Sequence, residues 1–280
     1  MARRRYVIDE QRITLFENEG RGKGAGADYK PWLTVQDVPS TGRSTRILGI
    51  HTRRTHHFLS DIERSLFYWL DWEDSVIDIR EQFPLDRSTT SQIAQSCNIP
   101  HPRFPGASTP MVMTTDILVD ARKSGRVVQM AYAVKSGKDL DNARTRDKLE
   151  IERIYWKNKQ VEWSIVTPAV LPVQLIRNIE WVHSYHRIDD LPGSSYPGFY
   201  RDAARRMLAL VGASPWLSLR QFCEDIEARL GLRGGEGLML FRHLLATKAV
   251  LCNMETLMLS DQLTMASFRT SFDEHRANQA

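Results

Sequence analysis

Glu63, Asp116 and Lys135 are the three residues whose types and placement suit phosphodiester hydrolysis. Asp116 is a charge inside the otherwise apolar run from Thr114 to Val119, and Lys135 closes the run Tyr132-Ala133-Val134-Lys135 just before Ser136-Gly137. The turn Lys123-Ser124-Gly125 joins the two runs into a β-hairpin, which can set the end of one strand beside the middle of the other. Glu63 lies one turn into a helix expected from Ser60 to Leu70 and can approach the same edge. Two carboxylates hold Mg²⁺ through hard oxygen ligands, and a lysine beside them can orient an attacking water and offset charge developing on phosphorus. Plainer roles fit the same residues. Ser60-Asp61-Ile62-Glu63 is also a capping box, Asp116 suits pairing with an arginine at the core edge, and Lys135 suits a solvated strand end.

The elements that must position these residues alternate in period. Ile62, Leu66, Trp69 and Leu70 form a helical stripe; Val76–Ile79 reads as a short strand leading to Phe83-Pro84-Leu85, and Val112–Asp120 and Val127–Lys135 as the hairpin. A helix over Asp141–Lys159 and a strand over Val161–Thr167 follow, an order that suggests a crossover to a parallel neighbour. The fold class is therefore α/β (α+β), a mixed sheet flanked by helices. Past a boundary near 168–172 the chain reads as helical: Val173–Arg187, Tyr200–Val211, Leu217–Leu230 and Glu236–Ala246. Val250–Cys252 and Thr256–Leu259 follow as a small hairpin, a winged-helix-like outline that a plain bundle matches nearly as well. The domains are thus 1–168 and 169–280.

At 42% hydrophobic and 26% charged residues the chain has the balance of a folded protein and not of a disordered one. It holds no apolar run of membrane-spanning length and no secretory signal. Three widely spaced cysteines exclude a disulfide scaffold or zinc ribbon and suit a cytoplasmic location. The net charge of +4 lies wholly in residues 1–167, with 26 Lys/Arg against 22 Asp/Glu, while residues 168–280 hold 12 of each. That asymmetry assigns polyanion contact to the front, with Arg43, Arg46, Arg53, Arg54 and the run Arg3-Arg4-Arg5 as candidates. The neutral rear favours a protein partner. Gly20–Gly26 lacks the spacing of a phosphate-binding loop and follows no strand, leaving a DNA- or partner-contacting loop or simple flexibility. His56-His57 has no third spaced ligand for zinc.

Several blocks, in order and at compatible spacing, resemble the TnsA transposon endonuclease family. They include Gly20–Gly24, Asp28-Tyr29-Lys30-Pro31-Trp32 through Ser40, Gly42-Arg43-Ser44, His56–Glu63, Asp78–Leu85, Thr114-Thr115-Asp116, Lys148-Leu149-Glu150 and Asn178–Trp181. The resemblance runs from about residue 17 to 185; the rear is similar in length and helical outline only. It implies a restriction-endonuclease-like nuclease domain that cuts the strand at the 5′ ends of a transposon. A TnsB-like partner would process the 3′ ends, and a TnsC-like AAA+ regulator would contact the rear domain, in the bacterial cytoplasm. The family's catalytic positions fall on Glu63, Asp116 and Lys135. Mg²⁺, with Mn²⁺ able to substitute, would be held by Glu63, Asp116 and the Val134 carbonyl, and Glu73 and Glu152 would be supporting acids. The position two before the lysine is Ala133, which supplies no ligand atom; this departure favours a second reading, a catalytically weak adaptor bridging transposase, regulator and DNA. A third is a stand-alone repair or junction nuclease of the same fold.

Overall fold

The computed structural model describes residues 8–37, 43–104, 108–188 and 196–272. Arg3-Arg4-Arg5 and the resemblance blocks over 38–42 lie outside the described residues. The chain divides into two compact units, 1–171 and 172–280.

The first unit runs α1 (Glu10–Asn18), β1 (Thr45–Leu48), β2 (Thr55–Phe58), α2 (Asp61–Trp72), β3 (Val76–Pro84), α3 (Arg87–Ser96), β4 (Thr114–Lys123), β5 (Arg126–Val134), α4 (Gly137–Asp141), α5 (Ala143–Asn158) and β6 (Glu162–Val166). Its main sheet has the order β3-β4-β5-β6, antiparallel except for the parallel β5–β6 pair. The β4–β5 turn is tight because Ser124 and Gly125 take φ of 50° and 77°, the left-handed pair that matches strand twist in a two-residue hairpin. Parallel pairing of β5 with β6 requires a long crossover, which α4 and α5 supply. The helix expected over Asp141–Lys159 begins at Ala143, because the Asn142 side chain accepts from the Arg144 and Thr145 amides and caps α5 there.

Side-chain alternation along β4 builds two cores. Ile117 and Val119 pack with Leu66, Phe67 and Leu70 of α2, and Leu118 packs with Ile93 of α3 and Ile151, Tyr155 and Trp156 of α5. Helices therefore cover both faces of a mixed sheet, in agreement with the expected class. A third cluster joins Ile13 and Phe16 of α1 to Trp32, Phe104 and Val112.

The glycine-rich stretch is a built loop. The Gly22 amide donates to the Lys30 carbonyl at 2.6 Å and the Lys30 amide to Lys23 at 3.2 Å. Gly22 has φ of +76°, and a Cβ there would fall 2.2 Å from Pro84 Cγ at the end of β3. Strain and overlap act together, so Gly22→Ala is expected to destabilise the first unit by about 2 kcal/mol or more. A urea midpoint equal to wild type would refute this.

The second unit comprises α6 (Val173–Val182), α7 (Phe199–Leu208), α8 (Leu219–Leu230), α9 (Glu236–Ala246), β7 (Val250–Leu251) and β8 (Arg269–Thr270). β7 pairs antiparallel with β8 and not with the expected Thr256–Leu259. The amides of Leu257 and Leu259 are held instead by the Asn253 carbonyl and the Asn178 side chain. Among the described residues, no helix is long and apolar enough to cross a membrane.

Candidate active site

Glu63 enters the site through the helix start. Ser60 caps α2 by accepting from the Glu63 amide at 3.2 Å, and the Glu63 carboxylate accepts from the Ser60 hydroxyl at 2.9 Å and the Leu59 amide at 3.1 Å. The expected capping box forms only in its Ser60 half: the Glu63 carboxylate reaches the Ser60 hydroxyl and the Leu59 amide in place of the Ser60 amide, and it also lines a cavity. Burial, then repulsion from Asp116, raises its pKa to about 7, against the donors from Leu59 and Ser60.

Asp116 lies where β4 leaves its ladder with β5, whose last paired residues are Ile117 and Tyr132. Asp116 Oδ2 takes over that edge, accepting from the Val134 amide at 2.6 Å and from Lys135 Nζ at 2.8 Å. Lys135 Nζ also donates to the Val134 carbonyl at 2.8 Å, and its backbone amide continues the pairing to Val166 of β6 at 3.0 Å. Burial alone would lower the Lys135 pKa, but the Asp116 carboxylate outweighs it and raises the value. The ammonium therefore sits as a cation against a carboxylate oxygen and a carbonyl oxygen.

Glu63, Asp116, Val134 and Lys135 line one cavity of about 440 Å³. Among the described residues no group of three His, Cys, Asp or Glu side chains forms a metal cluster. The oxygen set for a cation is instead two carboxylates and the Val134 carbonyl. It fits a hard divalent ion: the donors are all oxygen, the carboxylates repel one another, and an ammonium already occupies part of the set.

The other expected residues separate. Glu152 of α5 is buried behind β4, accepting from the Thr115 hydroxyl at 2.7 Å, and that hydroxyl accepts from Trp156 Nε1 at 2.7 Å. Burial and Asp116 raise Glu152 to about 7, so its charge registers at the site although it does not line the cavity. Glu73 is corrected: it is the exposed C-cap of α2, ten residues and about 15 Å along the helix from Glu63. Ala133 is fully buried and contributes nothing to the cavity wall. Arg54 is also corrected as a phosphate contact, because it is buried and donates both guanidinium ends to Glu81. Arg46 and Arg53 are exposed, and exposed Arg43 lies 3.4 Å from Asp61.

Sequence reasoning missed the hub around Glu81. It accepts from Arg54, from His56 Nδ1 at 2.8 Å and from the His57 amide at 3.0 Å, tying the β1–β2 hairpin to β3. The only signal is Arg54 and His56 alternating in a short β-like run. Lys148 was also missed as a cavity residue, although α5 presents it there beside Thr145 and Leu149.

A mixed sheet flanked by helices, with acids and a lysine converging where its central hairpin opens, is a restriction-endonuclease-like arrangement. Residues 73–168 match the family described as TnsA-like endonuclease N terminal, and residues 171–254 that described as TnsA endonuclease C terminal. The first match contains Asp116 and Lys135; Glu63 precedes it. The transposition protein TnsA of transposon Tn7 from Escherichia coli is 49% identical over 184 residues, which span 66% of this chain and 66% of that relative. The chain belongs to the TnsA-like endonuclease family.

Proposed function

We propose that this protein is the Mg²⁺-dependent endonuclease subunit of a heteromeric cut-and-paste transposase, hydrolysing the strand at the 5′ ends of its transposon. The observation that carries this reading is the Lys135 ammonium held between the Asp116 carboxylate and the Val134 carbonyl, on a cavity shared with Glu63. A divalent ion held by Asp116, Glu63 and the Val134 carbonyl would supply Lewis-acid activation of the phosphodiester. Lys135 orients the attacking water and offsets the negative charge growing on phosphorus. The Val134 amide fixes the Asp116 carboxylate, and the Leu59 amide and Ser60 hydroxyl fix that of Glu63. A water oxygen bonds to phosphorus and gives up a proton to solvent, the bond to the 3′ oxygen breaks and that oxygen takes a proton from solvent, and the products are a 3′-hydroxyl and a 5′-phosphate. A TnsB-like subunit processes the 3′ ends, and the second unit, neutral in sequence charge, docks a TnsC-like AAA+ regulator. The setting is the bacterial cytoplasm.

Strand-resolved cleavage of transposon-end DNA, with Mg²⁺ and the neighbouring transposase subunit, tests this reading. A 5′-strand cut that chelation abolishes is expected. Ala133 favours the adaptor reading, which predicts assembly and 3′ processing with the 5′ strand left whole.

The raised pKa of Glu63 sets a metal–proton competition. Below about pH 7 the carboxyl holds a proton that a cation must displace; above it the carboxylate is free. Mg²⁺ is therefore expected to bind about tenfold more tightly at pH 8 than at pH 6, the ratio of ionised fractions for one such group. Calorimetric titration checks this, and equal affinity at both pH values would remove Glu63 from the ligand set.

A further inference from the structure

One charge on the cavity wall has no role in the chemistry above. Lys148, in the second turn of α5, lines the cavity with Thr145 one turn before it and buried Leu149 next to it. The i, i+3 and i+4 spacing sets these residues on one helix face. Lys148 is half-buried and makes no hydrogen bond or ion pair among the described residues. The other charged groups of the cavity are engaged: Lys135 with Asp116, Glu63 with Ser60 and Leu59, and Asp139 with Ser136. Arg144, one turn earlier on the same helix, faces Asp147 at 3.5 Å.

We propose that Lys148, with the Thr145 hydroxyl beside it, is a phosphate-binding subsite of the cavity, gripping a backbone phosphate that flanks the one being cut. This rests on the nuclease reading and adds to it a contact that sets the strand's register. Three observations converge on an anionic ligand. The ammonium is partly removed from water without a counter-charge, an arrangement that a phosphate oxygen offsets through a charge-assisted hydrogen bond. Burial first, then the cations Arg144 and Lys135, hold its pKa below the ordinary lysine value, although the acids Glu63, Asp116 and Asp139 line the same cavity. Lys148 lines from α5 the cavity that Asp116 and Lys135 line from the hairpin, so a ligand reaching it shares that space, as a continuous nucleic-acid strand does.

The test uses the full-length chain with its neighbouring transposase subunit and a duplex carrying the terminal nucleotides of the element. Binding is measured across a potassium chloride series, and cleavage in Mg²⁺ is followed in parallel. Each phosphate contact contributes about 0.9 to the slope of log affinity against log salt. Lys148→Gln is expected to lower that slope by about 0.9, and Lys148→Arg to retain it. Methylphosphonates, which remove the charge of single phosphates, are then scanned around the cut. One position should weaken binding by wild type and have no further effect on Lys148→Gln. If wild type cuts but Lys148→Gln keeps the wild-type slope and methylphosphonate profile, the subsite is refuted and the nuclease reading stands. A wild type that neither binds nor cuts this duplex removes both.

Discussion

Asp116→Ala is expected to abolish 5′-strand cutting, lowering the rate by roughly 10³-fold, the equivalent of about 4 kcal/mol of lost transition-state stabilisation. The size follows from how much converges on one carboxylate. Asp116 Oδ2 accepts from both the Val134 amide and the Lys135 ammonium, and its charge raises the pKa of Glu63 and Glu152. Removing it takes away an oxygen of the proposed cation set and releases the lysine proposed to orient the water. Folding should survive: the Val134 amide loses an acceptor, but Glu63 and Glu152 are relieved of a repelling charge at the same time. Asp116→Asn separates charge from shape, because it keeps an oxygen for the Val134 amide and is still expected to be inactive. The measurement is single-turnover cleavage resolved by strand, with thermal unfolding run beside it. A folded Asp116→Ala protein that cuts within tenfold of wild type would overturn the proposed site.

The approach of Glu63, Asp116 and Lys135 to one cavity is readable from local rules. A charge inside an apolar strand, a lysine closing the next strand and a capping box each carry a short-range signature, and the hairpin turn brings the first two together. Longer-range placements carry none. Glu73 shares α2 with Glu63, but ten residues of helix set them apart. Arg54 looks like one more cation in a basic front, because the partner that buries it lies in β3, 27 residues on. Glu81 lies past the short strand read over Val76–Ile79, in the polar stretch Arg80-Glu81-Gln82 that β3 in fact includes, so its complete burial leaves no mark in the pattern. The ribbon of the second unit is misread for the same reason: β7 skips the nearby Thr256–Leu259, whose Leu257 and Leu259 amides bond to Asn253 and Asn178, and pairs with Arg269–Thr270. Lys148 becomes visible as a cavity residue only once α5 is laid against the opening of the β4–β5 hairpin.

Glu81→Gln should produce a large loss of stability in the first unit. Glu81 is fully buried, and it satisfies Arg54, itself 8% exposed, together with His56 and the His57 amide. Taking the negative charge from such a set strands a buried guanidinium, which costs about 3–5 kcal/mol. The pH dependence gives an independent measure of the same quantity. Burial alone would raise the Glu81 pKa, but His56 and Arg54 outweigh it and hold the group at about 2, against an ordinary 4.5. A carboxylate depressed on folding contributes its full stability above its unfolded pKa and loses it as pH falls through the folded value. A shift of this size corresponds to about 3 kcal/mol, lost between about pH 4.5 and 2. Amide hydrogen exchange in β1, β2 and β3 reads the effect where it arises: protection should fall in Glu81→Gln at pH 7, and its acid dependence between pH 4.5 and 2 should flatten. Cutting should weaken as well, because Glu81 pairs in register with Ile117, the neighbour of Asp116. Unchanged protection in β1 and β2 would show that the hairpin is held by its apolar contacts alone, through Ile47 and Phe58.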